Sequence, residues 1–282
     1  MTVAEKTRLA AQDLATRDLA PLIGTAILAD KAALLSGEHA AAIRELLEKR
    51  GVLVFPQIRF TDEEQIAFTR TLGTFAKELR GEEIYKVTLD KGENATAEYL
   101  KGAFFWHIDG TMSPMPILAS ILSAKKLSET GGDTEFSNTY AAYEALSDED
   151  KAALEGVKVV HTLAASQKMV DPEPTYAKYR EWRGLGRDVQ PLVWTHRSGR
   201  KSLVLGATCD HVVGMDPLEG EELLLRLRDF ATRPEFVYSH KWTLGDTVMW
   251  DNTGTMHRAT EYPLDSGRMM HRTKLEGEEP FA

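Results

Sequence analysis

The sequence GDTVMWDNTGTMHRA, residues 245–259, contains an apolar run, a polar turn and a histidine in that order. The run that ends at Trp250 has the length of a buried strand, and Asp251 and Asn252 are typical turn residues. His257 follows this short connection. The stretch therefore predicts a β-structure that carries a histidine just beyond the end of one strand.

Apolar runs of similar length occur on both sides of this stretch, most of them after about residue 104. Glycine and proline separate them at the spacing expected of a barrel or a sandwich. Six further strands are predicted, at residues 51–56, 117–122, 157–162, 191–196, 201–206 and 236–242. Amphipathic patterns predict helices at residues 2–20, 38–50, 60–73, 139–156 and 217–233. Thr61, with Glu64 three residues later, predicts a capping box at the start of the third of these. The expected fold class is mainly β with helices.

The length of 282 residues fits one domain, because β barrels and sandwiches of this size commonly share a single core. Two stretches, residues 75–103 and 163–190, are polar and have no clear period. Long polar insertions in a compact barrel often form lids or binding loops, although plain surface decoration is nearly as common. We therefore expect a single domain over residues 1–282 with two lid-like insertions.

Composition excludes several classes of partner. The net charge of −9 and the absence of a basic stripe argue against nucleic acid, because that affinity depends on Lys and Arg. Cys209 is the one cysteine, so no intramolecular disulfide can form, which favours a reducing, cytoplasmic location. The charged first 21 residues do not resemble a signal peptide, and no run of 18 apolar residues indicates a membrane span. Whether the chain forms a homo-oligomer is left open.

A candidate metal site begins at His107-Ile108-Asp109. In an extended chain, residues i and i+2 point to the same side, so this imidazole and this carboxylate can share one ion. The pair alone is weak evidence in a chain with eight histidines, so a third ligand is required. With His257 the set becomes two histidines and a carboxylate, the arrangement of iron(II) oxygenases, whereas zinc favours a closed tetrahedral set.

Two arginines follow the candidate ligand His257. Arg268 and Arg272 are four residues apart and share a face if their segment is a strand. A guanidinium binds a carboxylate or a sulfonate with two parallel hydrogen bonds, so two of them beside a metal suggest two bound anions. A small anionic substrate and an anionic cosubstrate are therefore expected, although a single unplaced arginine is more often solvated.

These residues together resemble the taurine dioxygenase and 2,4-dichlorophenoxyacetate dioxygenase (TauD/TfdA) family. Its signature W-H-x-D, G-G-[DN]-T and W-D-N-x(4)-H matches residues 106–109, 131–134 and 250–257, with Arg268 after ten further residues. The similarity extends from about residue 51 to the C-terminus, and it is stronger to the phenoxyacetate-type enzymes. The resemblance implies a double-stranded β-helix, the jelly-roll core of cupin-like proteins.

The resemblance also implies a role for each matching residue. His107, Asp109 and His257 would hold iron(II) and form the catalytic centre. Thr134 and Arg268 would bind the carboxylates of 2-oxoglutarate. The substrate would be contacted by two residues, Arg272 and His211, although a histidine that follows Asp210 could equally cap a turn.

The implied reaction is that of an Fe(II)/2-oxoglutarate-dependent dioxygenase, an oxidoreductase that consumes O₂, with ascorbate as the reductant used in vitro. In the phenoxyacetate type, carbon next to the ether oxygen is hydroxylated, and the product breaks down to a phenol or alcohol while succinate and CO₂ are released. An apolar pocket mouth formed by Phe104, Phe105, Met112 and Met115 would favour an aryloxy- or alkyl-carboxylate.

Departures from the family pattern concern the substrate rather than the metal. Ile108 replaces the usual threonine or serine between the ligands, and Thr253 replaces the usual arginine after Trp-Asp-Asn. A taurine or alkylsulfonate dioxygenase therefore stays an alternative. So does a non-enzymatic, cupin-like sensor that binds a metal or ligand, although it would not need Thr134 and both arginines. A hydrolytic metalloenzyme would more often place a general base near the metal.

Overall fold

The structure, a computed structural model, describes residues 14–78 and 81–282. The strands of these two ranges are β1 (Thr16–Asp18), β2 (Thr25–Ile27), β3 (Val52–Phe55), β4 (Phe75–Ala76), β5 (Tyr85–Val87), β6 (Ala119–Lys126), β7 (Thr134–Asn138), β8 (Lys158–Thr162), β9 (Arg187–Pro191), β10 (Val193–Thr195), β11 (Lys201–Leu203), β12 (Cys209–Val212), β13 (Val237–His240), β14 (Thr247–Asp251), β15 (Thr255–Ala259) and β16 (Met269–Leu275). Their α-helices are α1 (Lys31–Ser36), α2 (Ala40–Arg50), α3 (Asp62–Leu72), α4 (Thr139–Glu144), α5 (Asp148–Ala153), α6 (Leu163–Val170), α7 (Tyr176–Gly184) and α8 (Pro217–Ala231). Short 3₁₀ helices cover Tyr99–Phe104 and Pro234–Phe236.

A large sheet of eight strands forms one wall of the core. Its order is β1-β2-β3-β14-β6-β16-β4, and β5 also pairs with β16. The pairing of β2 with β3 is parallel, and the other pairings in this sheet are antiparallel. All five residues of β14 are buried, because this strand lies between β3 and β6 in the interior of the sheet.

A smaller sheet faces the large one. Its order is β13-β7-β15, all antiparallel. Phe136 of β7 is fully buried and packs in one apolar cluster with Leu122, Val248 and Met270 of the large sheet. Two sheets that bury their inner faces against each other in this way form the predicted jelly-roll core.

Helix α3 braces the large sheet from outside. The predicted capping box is confirmed, because the Thr61 side chain accepts from the backbone N–H of Glu64 and the Glu64 carboxylate accepts from that of Thr61. The buried Gln65 amide then donates to the backbone oxygens of Ile121 and His271, at 3.1 and 3.0 Å. The helix is thereby tied to β6 and β16, the strand that follows Arg268.

Two of the predicted helices differ from the structure in the described residues. Residues 139–156 form α4 and α5 rather than one helix, because the Ser147 hydroxyl accepts from the backbone N–H of Asp150 and starts a new helix there. Within residues 2–20, Thr16–Asp18 is a strand paired with β2, and residues 1–13 lie outside the described ranges. Pairing with a neighbouring strand overrides the local helical pattern.

Both polar insertions contain regular structure. Residues 163–190 form α6, α7 and most of β9, and each helix is capped by a threonine, Thr162 or Thr175. The described part of residues 75–103 forms β4 and β5, which both pair with β16, and most of a 3₁₀ helix. No helix in the parts of the chain that the structure describes has the length and apolar character needed to cross a membrane.

Candidate active site

Three side chains with metal-binding atoms converge on the inner face of the small sheet. One ligand atom from each of His107, Asp109 and His257 lies within 4.8 Å of the others. The Nε2 atom of His107 is 3.7 Å from Oδ1 of Asp109, and the Nε2 atom of His257 is 3.9 Å from Oδ2. Residues that lie 148 positions apart in sequence thus share one point of the fold.

The backbone brings these three residues together. His107 and His257 exchange backbone hydrogen bonds, N–H to carbonyl oxygen, at 3.0 and 2.9 Å. The Asn252 side chain accepts from the N–H of Asp109 at 3.0 Å and donates to its carbonyl oxygen at 2.6 Å. The turn between β14 and β15 therefore orients the carboxylate ligand, and β15 orients the second histidine.

The protonation states of the three side chains suit a metal. Burial, together with the neighbouring His107, lowers the pKa of His257 to about 3. Burial would raise the pKa of Asp109, but Arg272 and the two histidines outweigh it and lower that pKa to about 2. At neutral pH His257 is therefore a neutral imidazole and Asp109 a carboxylate, the forms in which these side chains bind metal ions.

The donor set fits iron(II). The Nδ1 atom of His107 lies 2.8 Å from the backbone oxygen of Phe105, so it donates there and leaves the lone pair on Nε2. Two imidazole nitrogens and one carboxylate on one side of an ion are the ligand set of non-haem iron oxygenases, which keep further positions open for substrates. These residues fit the iron that the sequence predicts.

Thr134 and Arg268 lie together at one end of the small sheet. Thr134 is on the same face of β7 as Phe136, which pairs directly with His257, and its hydroxyl accepts from Trp242 Nε1 at 2.9 Å. Arg268 is 3% exposed and donates from Nη2 to the backbone oxygen of Gly132, two residues before Thr134, at 3.1 Å.

The Arg268 guanidinium suits a bound anion. Its centre lies 4.9 Å from the ring centroid of Tyr262, and its buried Nε has no hydrogen-bond partner among the described residues. Burial lowers the pKa of Arg268, although Tyr262 and Asp133 oppose this. A buried cation with an unused donor is the group that a carboxylate of 2-oxoglutarate would satisfy.

Arg272 lies beside the metal ligands but already has partners. It donates from Nη1 to Oδ2 of Asp109 and from Nη2 to Oε1 of Glu78, both at 3.2 Å. Lys274 Nζ donates to the other oxygen of Glu78 at 2.8 Å. Sequence reasoning missed Glu78 and Lys274. For Lys274 there was a signal, because it stands two residues after Arg272 and shares its face of β16.

His211 lies apart from this cluster. It is on β12, half exposed, with Nδ1 2.7 Å from Oδ2 of Asp210. It lines a cavity of about 1000 Å³ together with Phe105 and Trp106, and the three candidate ligands lie outside that cavity. His211 therefore lines a different surface from the three candidate ligands, and its contact with substrate stays a prediction.

Side chains expected at an apolar pocket mouth contact several segments of the chain. The Phe104 ring packs edge-on against Tyr262, at 5.4 Å between centroids. A Cβ placed on Gly186 would lie 3.2 Å from Sδ of Met112, and one on Gly277 would lie 2.7 Å from Cγ of Met115. These contacts do not test the expected preference for aryl or alkyl carboxylates, which stays a prediction.

The similarity to known proteins covers the part of the chain that carries this site. The family described as "Taurine catabolism dioxygenase TauD, TfdA family" matches residues 15–274. The (S)-phenoxypropionate/alpha-ketoglutarate-dioxygenase of Sphingobium herbicidovorans is 33% identical over 93% of this chain and 95% of its own length. The alpha-ketoglutarate-dependent 2,4-dichlorophenoxyacetate dioxygenase of Cupriavidus pinatubonensis is 34% identical over 84% of this chain and 88% of its own.

A solved structure with bound ligands is also similar. The crystal structure of AAD-2 in complex with Mn(II) and N-oxalylglycine superposes with a TM-score of 0.82 and 35% identity, covering 95% of this chain and 99% of that one. The match includes both sheets, so the predicted jelly-roll core is confirmed. The ligands in that crystal structure are a divalent metal and a dicarboxylate, which are the two kinds of group predicted from the sequence.

Proposed function

Because the chain belongs to the TauD/TfdA family of 2-oxoglutarate-dependent dioxygenases, we propose that its substrate is an aryloxy-carboxylate hydroxylated at the carbon next to the ether oxygen. The protein is an oxidoreductase that uses Fe(II), 2-oxoglutarate and O₂. The hydroxylated product is a hemiacetal, which breaks down to a phenol and an oxo-acid. Succinate and CO₂ are released from 2-oxoglutarate.

The observation that carries the proposal is the position of Arg272. Its guanidinium donates to Asp109, one of the three proposed iron ligands, at 3.2 Å. An anionic head group held by Arg272 would therefore stand next to the reacting centre, and the carbon beside it would face the iron. Iron(II) with bound 2-oxoglutarate and O₂ supplies the oxidising power that replaces C–H by C–OH.

The remaining residues of the site have separate proposed tasks. Arg268 and Thr134 hold the carboxylates of 2-oxoglutarate, and Tyr262 covers the Arg268 guanidinium. Both Arg268 and Thr134 are buried, at 3% and 5% exposure, so the ion pair of Arg268 and the hydrogen bond of Thr134 with a carboxylate would be little weakened by water. His107, Asp109 and His257 hold the iron.

The relatives favour a carboxylate over a sulfonate. Both relatives quoted above are named for phenoxy acids, and they match most of this chain. An alkylsulfonate dioxygenase stays the alternative, because a guanidinium binds a sulfonate as readily as a carboxylate. A cytoplasmic location, a single domain with two lid-like insertions, and the role of His211 also belong to the proposal, whereas homo-oligomerisation stays open.

A substrate panel tests the proposal. The purified protein with Fe(II), ascorbate and 2-oxoglutarate is given phenoxyacetate, the two enantiomers of 2-phenoxypropionate, taurine and hexanesulfonate, and succinate and phenol are measured. We expect succinate in a one-to-one ratio with phenol for at least one phenoxy acid. Succinate with a sulfonate alone would favour the alternative, and no substrate-dependent succinate from any acid would favour the non-enzymatic sensor.

A further inference from the structure

Glu78 is a largely buried carboxylate beside a site that the proposed function assigns to an anion. Its side chain is 11% exposed, and its two oxygens are shared between Arg272, at 3.2 Å, and Lys274, at 2.8 Å. Arg272 also contacts Asp109, at 3.2 Å. Four charges of alternating sign therefore lie in a row, in the order Asp109, Arg272, Glu78 and Lys274.

The row is fixed by the two strands that carry it. Arg272 and Lys274 are two residues apart on β16 and point to the same side as Met270, which is fully buried between the sheets. Glu78 follows β4, the strand that pairs with the end of β16. Both cations are only 15–19% exposed, so water screens their charges weakly and they interact strongly with any charged group that enters between them.

A charge balance shows how Glu78 changes the net charge on the substrate side of the site, around Arg272. Iron(II) with Asp109 carries one net positive charge, which the chelating carboxylate of 2-oxoglutarate cancels. The other carboxylate of 2-oxoglutarate is cancelled by Arg268. Two cations and one carboxylate remain on the substrate side, with a net charge of plus one, which a monoanion neutralises.

We propose that Glu78 determines the charge class of the substrate by neutralising one of the two cations, so that the site accepts monoanions and rejects dianions. A second negative charge on the substrate would lie beside the Glu78 carboxylate, and like charges brought together without water are strongly unfavourable. Removal of the Glu78 charge would leave both cations free, and a dianion would then be favoured. This inference rests on the proposed anion site at Arg272 and adds its selectivity.

Two isosteric anions separate charge from shape. Phenyl sulfate is a monoanion and phenyl phosphate is mostly a dianion at pH 8, because the second pKa of a phosphate ester is about 6. Their affinities for the protein loaded with Mn(II) and N-oxalylglycine are measured by titration calorimetry, a readout that needs no turnover. We expect the wild-type protein to bind phenyl sulfate with a Kd at least about 10-fold lower than that of phenyl phosphate.

Three variants and a control then test Glu78 itself. In Glu78→Gln the preference should reverse, so that phenyl phosphate binds more tightly than phenyl sulfate and the ratio of their Kd values changes by more than about 10-fold from the wild type. Lys274→Met should weaken the binding of both anions. The double variant Glu78→Gln/Lys274→Met restores a net charge of plus one and should restore the preference for phenyl sulfate. Glu93→Gln removes a carboxylate that pairs with Lys86 at a more exposed position and should leave the ratio unchanged.

The outcomes distinguish this inference from the proposed function. An unchanged ratio of the two affinities in Glu78→Gln, or a double variant that still prefers phenyl phosphate, would overturn the inference. Binding of neither anion to any variant would overturn it as well. Turnover of a phenoxy acid by the wild-type protein is measured separately, so the proposed function can stand while the role of Glu78 fails.

Discussion

Asp109 shows how one residue serves two partners. Its carboxylate is a proposed metal ligand and also accepts from Arg272, while its backbone is held on both sides by Asn252. Arg272 therefore stabilises the ionised form of this carboxylate, and in the proposed function it also provides a cation for the substrate. A variant that removes Arg272 would disturb both tasks, which is why substitutions of Glu78 and Lys274 report on substrate charge more cleanly.

Asp251 is the buried carboxylate of the Trp-Asp-Asn turn, and Thr253 stands two residues later, in place of the arginine usual in the family. It accepts hydrogen bonds from the backbone N–H and the hydroxyl of Thr253, at 2.9 and 2.7 Å. Burial raises the pKa of Asp251 to about 6, although these hydrogen bonds oppose the shift. The native protein therefore holds a proton at Asp251 more tightly than the unfolded chain does.

The consequence is a pH-dependent loss of stability. Since the folded pKa lies above the unfolded one, ionisation of Asp251 destabilises the fold as pH rises from about 4 through 6. Asp251→Asn, which keeps an oxygen acceptor for Thr253, should raise the free energy of unfolding by about 3 kcal/mol at pH 8 and by about 1 kcal/mol at pH 4.5. Urea denaturation at the two pH values measures it.

The control for this prediction is Asp265→Asn at an exposed position, which should change stability little at either pH. A gain in Asp251→Asn that is equal at pH 8 and pH 4.5 would contradict the explanation, because the burial of a charge would then not be its cause.

At the scale of elements, the turn between β6 and β7 lies next to the proposed 2-oxoglutarate site at Thr134 and Arg268. Gly131 and Gly132 both have positive φ, at +66° and +79°. A Cβ on Gly131 would lie 2.0 Å from the backbone oxygen of Glu261, and one on Gly132 would lie 3.0 Å from Nε of Arg268. Glycine is needed here both for the backbone conformation and for the close approach of the segment that precedes β16.

Gly131→Ala tests that close approach. Gly156 has a similar φ of +73°, but an added Cβ would meet nothing within 4 Å, so Gly156→Ala measures the conformational strain alone. We expect Gly156→Ala to cost about 1 kcal/mol, and Gly131→Ala to cost about 2 kcal/mol more because the Glu261 backbone must move.

The kinetic effect should be equally selective. Movement at Gly131 shifts the segments that carry Arg268 and Thr134, so the KM for 2-oxoglutarate should rise in Gly131→Ala and stay unchanged in Gly156→Ala. Chemical denaturation and succinate formation at varied 2-oxoglutarate provide the two measurements. Equal stabilities of the two variants would show that the Glu261 contact is not restrictive.

At the scale of the molecule, the site lies between the two sheets. The three proposed iron ligands and Thr134 come from the small sheet and the segments joined to it, while Arg268 and Arg272 come from the segment that leads into β16 and from β16 itself. A ligand that contacts both of these groups of residues binds only the folded chain. It stabilises the fold by an amount that grows with the ratio of its concentration to its Kd.

Ligand binding should therefore appear in thermal unfolding. Mn(II) and then N-oxalylglycine, each at about 100 times its Kd, should each add about 2.7 kcal/mol and raise the midpoint by several degrees. His107→Ala should lose both increments, because the metal site is incomplete. Arg268→Met should keep the Mn(II) increment and lose most of the second. A second increment that survives in Arg268→Met would contradict the assignment of this arginine to the dicarboxylate.

Much of the fold could be predicted from local sequence. The capping box at Thr61 and the strand, turn and histidine of residues 245–259 are encoded by neighbouring residues, and the structure contains them as predicted. The helix predicted over residues 139–156 failed because the cap at Ser147 breaks the pattern within one turn. Local patterns thus identify elements well, and their ends less well.

The sequence by itself indicated which residues could bind the metal and the cosubstrate, because His107 and Asp109 lie in one short motif and His257 and Arg268 in another, and both motifs can be matched to a family. Only the tertiary structure decided the net charge around Arg272, where the substrate is proposed to bind. Glu78 lies 194 positions from Arg272 and belongs to a polar stretch whose charges are solvated by default. Its burial follows from the pairing of β4 with β16, and long-range strand pairing leaves no local signal in the sequence.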